Sequence, residues 1–181
     1  MKRIILLRHC KANGQEPSAE LTEEGIVQSR MLIEFLSDRK IDFICSSPFD
    51  RAIATIRPLS EHRKLAIHID ERLSERVLSS EDRADWLDRL KDSFTDLDLK
   101  LPSGESSREA MNRGSSVIGE LFQRAEDNIV VVTHGNLLSL ILKCYDPGIG
   151  FDDWRGLTNP DVYELSRSEN ADEVRVRRLW K

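Results

Sequence analysis

Asn128-Ile129-Val130-Val131-Val132-Thr133, followed by His134-Gly135-Asn136 and then Leu137-Leu138-Ser139-Leu140-Ile141-Leu142, decides the fold. Four consecutive β-branched apolar residues between polar ones read as a strand buried on both faces, the signature of a central parallel strand. The glycine-containing turn after it leads into a second apolar run, read as a short helix through Leu142. The same strand–polar turn–helix pattern recurs upstream. Ile4–Leu7 is a short apolar strand, and Phe43-Ile44-Cys45 a second, with Ser46-Ser47-Pro48 as the turn into a helix. Ala66–Ile69 is a third strand, and Val162–Leu165 and Val174–Leu179 read as late strands, edge or antiparallel. Strands alternating with helices predict an α/β fold, a three-layer α/β/α sandwich around a mostly parallel sheet.

The helices carry more local signals. Thr22 is a plausible N-cap for a helix with Ile26, Leu32, Ile33 and Leu36 on its apolar stripe, ending near Arg39. Pro58 is expected to kink or end the second helix, because it offers no N–H to the carbonyl four residues back. Glu81–Asp92 reads as an exposed helix with Trp86, Leu87 and Leu90 turned inward. From Arg108 to Ala125, Met111, Gly114, Val117, Ile118, Leu121 and Phe122 share one helical face, read as core.

A length of 181 residues argues for a single domain, residues 1–181, large enough to fold without disulfides or metals. With 27 basic and 32 acidic residues the net charge is −5, which argues against nucleic-acid binding through bulk charge. Any anion must be gripped locally. The apolar run after Met1-Lys2-Arg3 is broken by Arg8-His9 and is too short for a signal peptide or a membrane span. Cys10, Cys45 and Cys144 are odd in number and far apart, so they read as reduced thiols in a cytoplasmic protein. The four histidines lack metal-ligand spacing, so no metal site is expected.

Three polar clusters directly follow apolar strands: Arg8-His9, Ser46-Ser47-Pro48 and Thr133-His134-Gly135. Ligands of open α/β sheets bind beyond the carboxyl ends of parallel strands, so the clusters are expected to line one anion pocket. Their order and spacing carry a resemblance. Leu7-Arg8-His9, Ser46-Ser47-Pro48 with Arg51-Ala52 and Thr55, and Thr133-His134-Gly135 together resemble the histidine phosphatase superfamily, also called phosphoglycerate mutase-like. Leu21-Thr22-Glu23-Glu24-Gly25 and Gly104-Glu105-Ser106 are similar to two further segments of that family, so the likeness runs from residue 4 to about residue 142.

The resemblance implies a phosphomonoester hydrolase that needs no metal or other cofactor. In it His9 is the nucleophile that forms a phosphohistidine, and Arg8, Arg51 and His134 hold the phosphoryl oxygens. Glu75, in Leu73-Ser74-Glu75-Arg76, is the implied proton donor. The residue types suit that chemistry. A guanidinium presents a planar fork to two phosphate oxygens. The two arginines disfavour imidazolium at His9 and so help keep it neutral, with its other nitrogen fixed by a hydrogen bond.

The chain also departs from the family pattern. Cys10 stands where most members have glycine, and reads either as a packing substitution or as a thiol made reactive by nearby arginines. Gln15 stands where many relatives have asparagine, and is expected to reach a phosphoryl oxygen. Ser47 reads as a helix cap ahead of the alternative that it helps build the pocket, and Glu105 as an opener of the long helix, while Arg113 belongs to an exposed or salt-bridged face rather than the pocket. Phe151–Pro160, with Asn159, is expected to rim the pocket by analogy with the fold. Hydrolysis is favoured over mutase-type phosphotransfer because the interval between Arg51 and Glu75 is short, although Glu75-Arg76 resembles the Glu-Arg of mutases. A non-catalytic phospholigand-binding module is the third reading. The expected partner is a small phosphorylated substrate or a phosphoprotein, with no nucleic acid and no membrane, bound by a monomer or homodimer.

Overall fold

A computed structural model describes residues 1–168 and 173–180. Strands β1 (Lys2–Arg8), β2 (Phe43–Ser46), β3 (Ile67–Ile69), β4 (Asn128–Thr133), β5 (Asp161–Arg167) and β6 (Arg175–Arg178) form one sheet in the order β3-β2-β4-β1-β5-β6. β3, β2, β4 and β1 are parallel, whereas β5 and β6 are antiparallel, so the two late strands close one side of the sheet. Side chains alternate across a strand, and the core is divided accordingly. Ile4 and Leu6 of β1, with Ile129 and Val131 of β4, meet helices α4 (Ser107–Gln123) and α5 (Gly135–Tyr145) on one face. Ile5, Leu7, Val130 and Val132 meet α1 (Glu23–Phe35) and α2 (Asp50–Arg63) on the other. The architecture is the α/β/α sandwich expected.

Local details differ in places. α2 runs through Pro58 to Arg63. Ile56 and Leu59, on either side of the proline, are fully buried. Their burial, about 1.5–3 kcal/mol each, offsets the roughly 3 kcal/mol that an interior proline costs. The charged helix begins later than expected, as α3 (Trp86–Asp92), after Asp85 has paired with Arg83 and Arg89 at 2.9 Å each. Only its second half reaches the core, through Leu90. Trp86 and Leu87 stay 49% and 43% exposed, so they do not turn inward. Ile26 is also exposed, and the buried stripe of α1 is Gly25, Ser29 and Leu32, leading to Leu36.

α4 opens with a capping box: Ser106 accepts from the Glu109 N–H, and the Glu109 carboxylate accepts from the Ser106 N–H. It then passes so close to α5 that a Cβ at Gly114 would lie 2.7 Å from Ile141. The reading of that stripe as core holds. α5 is buried all round through Leu142, which roots the turn before it in the core.

Candidate active site

β2, β4 and β1 are neighbours and parallel, so the polar clusters at their carboxyl ends meet side by side. His9 N–H donates to the Thr133 carbonyl at 3.0 Å, and Ser47 N–H to the Val132 carbonyl at 2.9 Å, extending the ladders into the site. β1 and β2 lead into helices on one face while β4 leads into α5 on the other. The clusters therefore sit at the switch point, where a crevice opens.

His9 is nearly buried, and Arg51 Nε donates to its Nε2 at 3.1 Å. A guanidinium has no acceptor, so Nε2 carries a lone pair and the ring proton is on Nδ1. Nδ1 sits 2.7 Å from the Cys10 carbonyl and donates to it. Burial, followed by the charges of Arg51 and Arg8, pushes His9 down from 6.5 to about 4, while the Cys10 hydrogen bond opposes the shift. The ring is neutral across ordinary pH, with Nε2 free of its proton.

His134 is fully buried 5.1 Å away, ring centre to ring centre, and its Nε2 lies 2.7 Å from Ser47 Oγ. Burial and then its cationic neighbours hold it well below the ordinary histidine value. Among the described residues its Nδ1 has no protein partner, and neither do Arg8 Nε or the side-chain amide of Asn136. Unpaired buried polar atoms are rare, because each costs about 1–3 kcal/mol. Four such atoms lie on three residues at or beside the carboxyl ends of β1 and β4, next to His9.

Arg8 Nη1 is anchored by the Leu157 and Thr158 carbonyls at 3.3 and 3.2 Å. Its guanidinium passes so close to α5 that a Cβ at Gly135 would lie 3.0 Å from Nε. Any larger residue there would press on the guanidinium. Arg51, fully buried at the start of α2, is fixed by the Glu16 carbonyl at 2.8 Å and lies over the Phe49 ring. Its carbonyl accepts from Thr55 Oγ1 at 2.7 Å, which in turn accepts from the Cys10 N–H at 2.8 Å.

Glu75 is brought in by the loop after β3. Its Oε1 accepts from the Arg76 and Leu137 N–H groups at 2.8 and 2.9 Å, and its Oε2 from Asn136 N–H at 3.0 Å. The carboxylate thus lies at the N-terminus of α5, where the helix dipole favours negative charge. Oε2 keeps a lone pair unused by the protein. The loop is pinned by Arg113, which pairs with Glu105 at 2.6 Å and donates to the Arg72 and Ser74 carbonyls.

Other expectations do not survive the geometry. Gln15 is exposed, and among the described residues its side chain makes no hydrogen bond to the cluster. The neighbouring residue, Glu16, supplies the contact instead, through its carbonyl. Cys10 is fully buried, and burial pushes its thiol up to about 12, so the arginines do not make it reactive. It is a packing residue whose carbonyl sets the His9 tautomer. Of the two readings of Ser47 the pocket one applies: α2 starts at Asp50 without a side-chain cap, and the Ser47 hydroxyl meets His134 while accepting from Phe49 N–H at 3.3 Å. Glu105 precedes α4 and acts through Arg113. Asn136 was missed although His134-Gly135-Asn136 was in view, since burial and lack of a partner are not written in a sequence. Asn159 does reach the site, donating to the His9 carbonyl at 2.8 Å.

The neutral buried histidines link stability to pH. Unfolded, His9 titrates near 6.5, but in the fold it binds a proton only near 4, so folding loses stability as pH falls from 6.5 toward 4. At 1.36 kcal/mol per unit, about 2 kcal/mol is lost from this residue between pH 6.5 and pH 5, where few carboxylates titrate. Urea unfolding at pH 7 and pH 5 should show a larger loss in wild type than in His9→Gln; equal losses would refute the assignment.

Residues 4–179 match the Histidine phosphatase superfamily (branch 1). A Hydrogenobacter thermophilus protein provisionally named phosphoserine phosphatase 2 is 31% identical over 84% of this chain and 82% of its own length. A phosphoglycerate mutase-like protein of Arabidopsis thaliana is 24% identical over 91% of this chain, which spans 63% of that relative. Among solved structures, a mycobacterial glucosyl-3-phosphoglycerate phosphatase superposes with a TM-score of 0.78 at 24% identity, covering 98% of this chain and 97% of the other.

Proposed function

The chain belongs to the histidine phosphatase superfamily, and on that premise we propose that it hydrolyses small phosphomonoesters through a phosphohistidine at His9, without a metal. The observation that carries this reading is the pairing of a neutral His9, its Nε2 unprotonated, with buried donors that have no protein partner. Arg8 and Arg51 neutralise the phosphoryl dianion, and the His134 Nδ1 and Asn136 amide complete the cradle. Such positioning and charge stabilisation supply nearly all of phosphoryl-transfer catalysis.

His9 Nε2 attacks phosphorus, forming the N–P bond as the bond to the ester oxygen breaks, and Glu75, which takes up a proton from water as the phosphoryl dianion arrives beside it, gives that proton to the departing oxygen. The resulting carboxylate then takes a proton from water, whose oxygen attacks phosphorus. The N–P bond breaks, its electron pair returns to Nε2, and phosphate leaves. Transfer of the Nδ1 proton is not required, so the Cys10 carbonyl steadies the ring through both steps and favours the imidazolium-like charge that develops on phosphorylation.

The relatives named for phosphoserine and for glucosyl-3-phosphoglycerate support alkyl phosphomonoesters as the substrate class. The short interval between Arg51 and Glu75 favours hydrolysis over mutase-type transfer, while Arg76, held through Nε by the Glu105 carbonyl and through Nη1 by Ser93 and Ser107, is almost wholly buried. The expected result is hydrolysis of p-nitrophenyl phosphate and phosphoserine at pH 5–8 that persists in EDTA. Loss of activity in EDTA, or transfer between 2- and 3-phosphoglycerate faster than hydrolysis, overturns it.

A further inference from the structure

A fully buried carboxylate, Asp161 at the start of β5, lies directly across from Arg8 in the sheet but does not touch the cradle. We propose that Asp161, with Arg178 behind it, is a positioning residue for phosphoryl binding, an inference that rests on the function just described. A buried carboxylate is costly unless it is paired and hydrogen-bonded. Arg178, from edge strand β6, meets it with a fork: Nε to Oδ1 at 3.0 Å and Nη2 to Oδ2 at 2.5 Å. Oδ1 also accepts from Val162 N–H, and Oδ2 from Thr158 N–H, both at 3.0 Å. Arg178 Nη2 further reaches the Gly156 carbonyl at 3.2 Å.

The pair therefore grips residues 156–161 from both ends. This segment makes the contacts that orient the site. The Leu157 and Thr158 carbonyls hold Arg8 Nη1, and the Asn159 amide holds the carbonyl of His9. Arg8 has no carboxylate of its own at contact distance among the described residues, so its orientation depends on where those two carbonyls stand. Asp161 acts through them, and its negative charge, second to that of Glu75, also attracts Arg8. An asparagine cannot replace it. An amide NH₂ in place of Oδ2 would face the Thr158 N–H and the Arg178 fork, and an NH₂ in place of Oδ1 would face the Val162 N–H and Arg178 Nε.

The test is calorimetric binding of inorganic phosphate to the full chain, which needs no turnover, alongside Tm and kinetics on p-nitrophenyl phosphate. For Asp161→Asn, measured where thermal unfolding shows it folded, the phosphate Kd is expected to rise about tenfold, the worth of one charge-assisted contact. KM should rise with it. Arg178→Gln should move Kd in the same direction, and Arg178→Lys, which keeps the charge but not the fork, should restore part of the loss. A merely structural pair would lower Tm and leave Kd and KM at wild-type values in the folded variants, and that result overturns the proposal. Should Asp161→Asn fail to fold, Arg178→Gln decides, and an unchanged Kd there is equally fatal. A wild type that binds phosphate but hydrolyses nothing refutes the proposed hydrolysis while leaving this inference to stand or fall on Kd.

Discussion

Replacing His9 with alanine should reduce hydrolysis of p-nitrophenyl phosphate by on the order of 10⁴-fold or more, the scale on which enzymes lose turnover with their nucleophile. The structure gives this residue no substitute. His134 is the other imidazole beside His9 among the described residues, but Ser47 holds its Nε2, and no carbonyl fixes its other nitrogen. The buried thiol of Cys10, pushed up to about 12, supplies no thiolate. The arginines that hold the phosphoryl group would remain in the variant, so phosphate should still bind within a few-fold of wild type. That combination, lost turnover with retained binding, separates a lost nucleophile from a collapsed site. Acid-labile, base-stable phosphate trapped on the wild type and absent from His9→Ala would complete the argument. Activity surviving the substitution would show that His9 is not the nucleophile.

Glu75→Gln carries the second largest effect, and its size should depend on the leaving group. General acid assistance is worth roughly 10²–10⁴-fold. An alkyl phosphate such as phosphoserine releases a basic alkoxide and needs that proton, whereas p-nitrophenolate departs without it. The variant should therefore lose about 10²–10⁴-fold in kcat on phosphoserine and much less on p-nitrophenyl phosphate. A second, uniform loss is built into the geometry. The glutamine oxygen can accept from Arg76 and Leu137, but its NH₂ would then face the Asn136 N–H, so the start of α5 and the turn carrying Asn136 are disturbed. This part falls equally on both substrates. Equal losses on the two, with nothing left over for the alkyl ester, would reduce Glu75 to a helix cap and send the search for the acid elsewhere.

The Glu75 case shows where reading the chain stops. The Leu-x-Glu-Arg spacing singles out Glu75 among the acids that follow β3, but three backbone donors from two segments place it, and no local pattern announces them. Gln15 and Ser47 show how a local pattern leaves a role open. Gln15 has the amide for a phosphate ligand, yet its loop turns outward and offers the Glu16 carbonyl to Arg51 instead. Ser47 follows a strand and precedes a helix, the ordinary setting of a cap, but the parallel pairing of β2 with β4 brings it against His134.

The sequence by itself determined the layered α/β architecture, because alternating strand and helix periods with doubly buried strands admit few other solutions. It also singled out Arg8, His9 and His134 as candidates, because polar residues that directly follow apolar parallel strands gather at the carboxyl ends of the sheet, and the family resemblance added Arg51. Tertiary structure alone decided the His9 tautomer, the unpartnered atoms of Arg8, His134 and Asn136, the burial of Cys10, and the grip of Asp161 and Arg178 on the segment that holds Arg8. Each depends on contacts between residues distant in the chain and on exclusion of water. Hydrogen-bond partners and burial are properties of the packed fold, and periodicity carries no record of them.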